Sequence, residues 1–244
     1  MRVIVNGAGG RMGQELVRLL AAGYRGATLA AAVDKFSDAD GIYPSLDAVT
    51  EDADVLIDFS HHSAAVEIAE YAVKKGMALV VATTGHSDTE LSALQSAAKS
   101  VPLFMSANMS LGVALLCDLA KRAAALYPDA DIEIIETHHN RKLDAPSGTA
   151  LMLAKHLTEV REDAAFVYGR GGQHKREKNE IGIHAVRMGN VVGEHEVRIG
   201  TDTETITLKH QAHSRALFAE GAVVAAEFLV SQKAGLYSMQ DMIQ

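Results

Sequence analysis

The chain has no tryptophan, a single cysteine and four prolines in 244 residues, and aromatics make up 5% of it. One cysteine, Cys117, excludes an internal disulfide framework and a thiolate metal cluster, and it sits in an apolar helical stretch as a small buried hydrophobe does. Scarce aromatics leave little to stack on nucleobases, and a net charge of −8 argues against a general nucleic-acid surface. No uncharged apolar run reaches membrane-spanning length, and the strand Arg2–Val5 runs straight into a glycine loop with no basic, cleavable leader before it. These absences predict a cytoplasmic protein without membrane or nucleic-acid partners. The 48% hydrophobic content supplies a substantial core for one large or two modest domains.

The first informative segment is N-terminal. Arg2-Val3-Ile4-Val5-Asn6 reads as a strand, Gly7-Ala8-Gly9-Gly10-Arg11-Met12-Gly13 as a loop, and Gln14 to Leu20 as a helix. The glycines give G-x-x-G-x-x-G, a variant of the dinucleotide fingerprint with Met12 in the last position of a strict G-x-G-x-x-G. Gly7 permits a tight turn, Gly9 and Gly10 let backbone approach a pyrophosphate, and Gly13 lets helix pack close on strand. Asp34 ends a second apolar strand, Thr28–Val33, where a ribose-binding carboxylate is expected. Asp34 repels a 2′-phosphate whereas the adjoining Lys35 attracts one, so use of both NADH and NADPH is expected.

The second is the run from Glu136 to Ala150. It follows the alternating apolar stretch Asp131–Ile135 of a strand expected over 131–138, and leads into a helix (147–160). It brings His138, His139 and Lys142 to the end of a strand, and Pro146-Ser147-Gly148-Thr149 opens the helix with Ser147 as N-cap. A histidine able to donate a proton, a fixed cation and a helix N-terminus that attracts anions suit chemistry on a carboxylated substrate. The adjacent pairs His61-His62 and His138-His139 are not ready-made chelates, because neighbours on a strand point to opposite faces, and no metal site is expected. The stretch 169–178 holds three glycines among five basic side chains, counting His174, and reads as a solvated loop or a basic lid.

Strand signals at 2–6, 28–33, 54–59, 77–82 and 101–106 alternate with helical patterns at 10–22, 62–75 and 87–99, which predicts an α/β fold with a Rossmann-type doubly wound parallel sheet. A helix at 111–126 follows. Later strand signals near 165–168, 181–188, 194–200 and 204–210 have no helix between them, predicting a second α+β domain with a mostly antiparallel sheet. A last helix is expected from Ser214 to Gln232. The domain bounds read as 1–108, joined by the C-terminal segment 214–244, and 109–213.

These segments together resemble the dihydrodipicolinate (4-hydroxy-tetrahydrodipicolinate) reductase family. The pattern E-x-H-H-x-x-K-x-D-x-P-S-G-T-A is complete at 136–150, and Gly7–Gly13, Ala82-Thr83-Thr84-Gly85, Ser106–Ser110 and Val191–His195 follow in the family's order. One departure is Ala82, where the family more often has glycine. The resemblance implies NAD(P)H-dependent reduction in lysine and diaminopimelate biosynthesis, and a homotetramer built on the second-domain sheet. It makes His138 the proton donor and Lys142 a second donor or charge stabiliser. His139, Ser147, Gly148 and Thr149 would meet a small dicarboxylate substrate. Cofactor contacts would come from Gly7, Ala8, Gly9, Gly10, Arg11, Met12, Asp34, Lys35, Ala82, Thr83, Thr84, Ser106, Ala107, Asn108 and Met109. The alternatives are another two-domain nicotinamide dehydrogenase of amino-acid metabolism, such as an aspartate or homoserine dehydrogenase, and a catalytically silent nucleotide sensor.

Overall fold

The structure is a computed structural model and describes residues 1–243; Gln244, the end of the expected C-terminal segment, lies outside the described residues. The chain divides into two compact units, Met1–Ser110 with Arg215–Gln244, and Leu111–Ser214.

The first unit is a parallel sheet between helices. Its strands are β1 (Arg2–Asn6), β2 (Thr28–Val33), β3 (Ile42–Tyr43), β4 (Val55–Asp58), β5 (Ala78–Val81) and β6 (Pro102–Met105). Its helices are α1 (Arg11–Ala21), α2 (Ala65–Lys75) and α3 (Asp88–Ala97). Strands β1, β4 and β5 are nearly continuous apolar runs because helices cover both faces. Ile4, Leu56, Leu79 and Leu103 pack on Ile68, Ala72 and Leu94 of α2 and α3. The chain enters α3 through a capping box: Ser87 Oγ accepts from Glu90 N–H while the Glu90 carboxylate accepts from Ser87 N–H.

The second unit begins with α4 (Leu111–Leu126), then β7 (Asp131–His138), α5 (Gly148–Thr158), β8 (Ala165–Tyr168), β9 (Glu180–Arg187), β10 (Gly193–Gly200) and β11 (Thr205–Ala212). Its strand order is β11-β10-β7-β9-β8. β10 runs antiparallel to β11 and β7, whereas β9 runs parallel to β7 and β8. The parallel pair β8–β9 has no sequence signature of its own, because the return from β8 to β9 is a loop where a crossover helix is usual. One face packs Ile132, Ile134, Ile183, Val197 and Ile199 against Cys117 and Ala120 of α4 and Leu153 and Leu157 of α5. Burial pushes the Cys117 thiol up to about 12, consistent with an inert packing residue. The basic loop after β8 is tied down by acids: Arg170 pairs with Glu180, Arg176 with Asp131 and Glu133, and Lys178 with Asp129.

The chain then returns to the first unit as α6 (Ala216–Leu229), β12 (Gly235–Tyr237) and the single turn α7 (Met239–Met242). β12 pairs in parallel with β6 and completes the order β12-β6-β5-β4-β1-β2-β3. Helix α6 passes so close to the turn after β6 that a Cβ on Gly221 would lie 1.7 Å from the Met109 carbonyl oxygen.

Candidate active site

In the first unit the strand ends carry the glycine loop. Gly7 has φ +80, a left-handed value that suits glycine, and its N–H and that of Ala8 donate to Val33 O at the end of β2. A Cβ on Gly13 would sit 2.0 Å from Gly7 O, so only glycine allows α1 to start this close to the loop. Gly10 caps α1 with no side-chain acceptor, so no side chain competes with an anion for the first-turn N–H groups. Asp34 is anchored by two backbone donors, Gly9 N–H to Oδ2 at 2.8 Å and Phe36 N–H to Oδ1 at 2.9 Å. A cavity of about 440 Å³ opens here, lined by Gly7, Gly10, Asp34, Lys35 and Phe36 among others. A second pocket holds Arg11, Met12, Ala82, Thr83 and Thr84, and the two share Phe59, Ser60 and His61. Ala8, Gly9 and Ser106–Met109 do not line these two pockets; Ser106 Oγ instead donates to Asn108 O and accepts from its N–H, shaping the turn after β6.

Beneath these loops lies Asp58, a residue that sequence reasoning left in its strand. It is fully buried at the end of β4 and accepts from Asn6 Nδ2, Ser60 Oγ and Thr83 Oγ1, so it ties together the ends of three strands. Burial pushes its carboxyl above the usual range, partly offset by these hydrogen bonds.

In the second unit, strand periodicity builds the site. Side chains two apart share a face, so β7 buries Ile132, Ile134, Glu136 and His138 in one row. The row is apolar over the helices and polar at its end. Register adds the neighbours: Glu136 faces His195 across β10, and His138 lies beside Arg187 on β9. His138 Nδ1 lies 2.6 Å from Glu136 Oε2, and Arg187 grips both carboxylate oxygens at 2.8 Å. Ser147 N–H donates to Glu136 Oε1 at 2.9 Å. Burial works against the Glu136 carboxylate, but the bonds from His138, Arg187 and Ser147 N–H outweigh it and hold it down at about 2. His195 is 4% exposed, its Nε2 is 3.1 Å from Ser147 Oγ and its ring meets His138 edge-on at 5.1 Å. Burial, with help from the His138 charge, drives His195 down to about 3, which keeps it neutral.

His138 Nε2 points toward Gly193, where a Cβ would lie 3.1 Å away, so a missing side chain leaves that nitrogen room. Lys142 follows on the loop, its N–H donating to His139 O and its Nζ 3.0 Å from Asp144 Oδ1. Ser147 caps α5 by accepting from Ala150 N–H and is buried, while Gly148 and Thr149 stand at the first turn. A carboxylate that reaches Ser147 Oγ must therefore displace an internal partner. Glu136 and His195 fall inside the motifs quoted above without a role assigned to them, and Arg187 lies outside them. The signal was a polar residue inside an alternating apolar row, at 136 in β7 and 195 in β10. Among the described residues, no group of three or more His, Cys, Asp or Glu is arranged to hold a metal, and no helix is long and apolar enough to cross a membrane.

A parallel sheet in this strand order with a glycine loop, together with a second unit bearing histidine, lysine and a helix N-terminus, defines a two-unit nicotinamide-dependent oxidoreductase. Residues 1–109 match the dihydrodipicolinate reductase N-terminal family and residues 112–243 the C-terminal family. The chain therefore belongs to the dihydrodipicolinate reductase family, whose members serve lysine and diaminopimelate biosynthesis and use NAD or NADP. It is 46% identical to 4-hydroxy-tetrahydrodipicolinate reductase of Caldanaerobacter subterraneus subsp. tengcongensis, over 100% of this chain and 98% of that protein. It is 44% identical to the Clostridium novyi enzyme of the same name, with the same coverage. Among solved structures it resembles a dipicolinate-bound dihydrodipicolinate reductase from a Paenisporosarcina species, with TM-score 0.83, 25% identity and 100% and 99% of the two chains covered. A diaminopimelate dehydrogenase from Corynebacterium glutamicum shares the fold alone, with TM-score 0.58 and 12% identity over 99% of this chain and 93% of that one.

Proposed function

We propose that the chain reduces 4-hydroxy-tetrahydrodipicolinate, or the dihydrodipicolinate formed from it by loss of water, to tetrahydrodipicolinate. The observation that carries this reading is the Glu136–His138 pair with Lys142 and the first turn of α5 beside it. The full-length relatives of that name support it.

The glycine loop fits a dinucleotide: α1 has no side-chain cap, Gly13 has no room for a Cβ, and Asp34 waits at the end of β2. Gly7–Met12, Asp34, Lys35, Ala82–Thr84 and Ser106–Met109 would hold it. When bound, the nicotinamide supplies a hydride, a two-electron nucleophile, to an electron-poor substrate carbon. Negative charge then develops on the substrate, and His138 quenches it by giving up the proton on Nε2. The Lys142 ammonium stabilises the developing charge. His139, Ser147, Gly148 and Thr149 hold the substrate carboxylates, helped by the α5 N-terminus.

Both NADH and NADPH are accepted in this reading, because Asp34 favours the free ribose and Lys35 the 2′-phosphate; NADH is then no worse than about tenfold behind in kcat/KM. A hundredfold preference for NADPH would refute that part. Cytoplasmic location and a homotetramer belong to the same reading. The sheet face turned away from α4 and α5 offers Glu133, Ile135, His184 and Glu196, all short of full burial in the single chain. Light scattering at four chain masses is expected; a monomer mass would refute the assembly. The activity itself is tested by NADH oxidation with the product of the preceding pathway enzyme as substrate. No oxidation by folded protein with either cofactor would overturn the reading.

A further inference from the structure

Glu136 has a position that the proton-donor reading alone does not explain. It has 0% exposure, and each of its oxygens accepts two bonds. Oε2 takes His138 Nδ1 at 2.6 Å and Arg187 Nη1 at 2.8 Å; Oε1 takes Ser147 N–H at 2.9 Å and Arg187 Nη2 at 2.8 Å. We propose that Glu136, backed by Arg187, is a positioning residue that keeps the neutral His138 protonated on Nδ1, so that Nε2 is the nitrogen that delivers the proton. This rests on His138 being the proton donor.

An ionised carboxylate only accepts hydrogen bonds, so the ring nitrogen facing it must carry hydrogen in both protonation states. Only Nε2 can then lose its proton, and Nε2 is the nitrogen beside the space that Gly193 leaves. The proton passes from Nε2 to the substrate, and the imidazole that remains is the Nδ1–H form already bonded to Glu136. His195 directs its Nε2 to Ser147 Oγ and not to Glu136. Arg187 supplies the fixed positive charge that keeps a buried carboxylate ionised, and its Nη2 also donates to Asp144 O at 2.8 Å. Asp144 in turn holds Lys142. One carboxylate–guanidinium pair thus sets the proton donor, the loop carrying the ammonium and the start of α5. The charged and titratable groups facing His138 are Glu136 on β7, Arg187 on β9 and His195 on β10; the Lys142–Asp144 pair follows on the loop after β7.

The test combines spectroscopy and kinetics. In the full-length protein labelled with 15N-histidine, the His138 signal is assigned by its loss in His138→Gln. Its neutral form should be the Nδ1–H tautomer. Glu136→Gln should lower kcat roughly tenfold or more, leave the KM for NADH unchanged, and raise the Nε2–H share of the neutral His138 ring. An amide can donate as well as accept, so it no longer fixes the hydrogen on Nδ1. Glu136→Asp should recover part of both effects. An Nε2–H tautomer in the wild type overturns the proposal, as does a Glu136→Gln enzyme whose tautomer and kcat per folded molecule match the wild type. If the glutamate variants do not fold, the wild-type tautomer decides alone. A His138→Gln enzyme with normal kcat removes the proton-donor reading itself; a slow His138→Gln beside an unaltered Glu136→Gln removes only this inference.

Discussion

His195 should make the second unit acid-sensitive well above the pH at which carboxylates protonate. Its folded-state value is held at about 3, against an ordinary 6.5, so the unfolded chain takes up a proton at a pH where the folded chain cannot. Lowering the pH through 6.5 therefore favours the unfolded state, and the loss continues until the folded value is reached. Between pH 7 and pH 5 this one group removes about 2 kcal/mol of stability. Glu136, held at about 2, contributes only about 0.2 kcal/mol over that window, because its loss begins near its unfolded value of 4.5. Urea unfolding read by hydrogen–deuterium exchange of β7 and β10 peptides isolates the second unit. His195→Gln should lower absolute stability at pH 7 by breaking the bond to Ser147, yet lose about 2 kcal/mol less than the wild type between pH 7 and pH 5. Equal losses in the two proteins would refute the argument that burial keeps His195 neutral.

Other substitutions test separate parts of the site. If Asp34 meets the adenosine ribose as proposed, Asp34→Ala should raise the KM for NADH more than that for NADPH, because the carboxylate is lost along with its repulsion of a 2′-phosphate; steady-state kinetics with both cofactors checks this. Gly193→Ala places a methyl about 3.1 Å from His138 Nε2, and should reduce kcat with little change in melting temperature. On the proposed role of Lys142, in which the ammonium meets a charged substrate before and during reaction, Lys142→Ala should lower kcat and raise the KM of the dicarboxylate together; a change in kcat alone would confine Lys142 to the transition state.

Much of this architecture is written locally in the chain. Apolar runs bounded by polar loops mark β1, β2, β4, β5 and β6 to within a residue or two, and the expected helices at 87–99 and 147–160 appear as Asp88–Ala97 and Gly148–Thr158. The pattern over 62–75 resolves into a single turn at His62–Ala64 before α2. β3 and β12 are too short, at two and three residues, to show any alternation. They exist because partner strands offer unpaired edges. Candidate site residues near in sequence, such as His138, Lys142 and Ser147, are legible as a cluster. Arg187 and His195 are not, because only strand register brings them to Glu136, and register depends on which strands pair. Asp58 was hidden for a related reason: its partners Asn6 and Thr83 lie on neighbouring strands or just past their ends.

The central claim is that His138 gives its proton only as charge develops on the substrate, and replacing it with glutamine tests this most directly. Kinetics and circular dichroism on one preparation of His138→Gln should show a folded protein whose kcat is lower by roughly 10²–10⁴ with KM nearly unchanged. Near-normal kcat per folded molecule, with only stability reduced, would contradict the claim and leave His138 as the end of a strand.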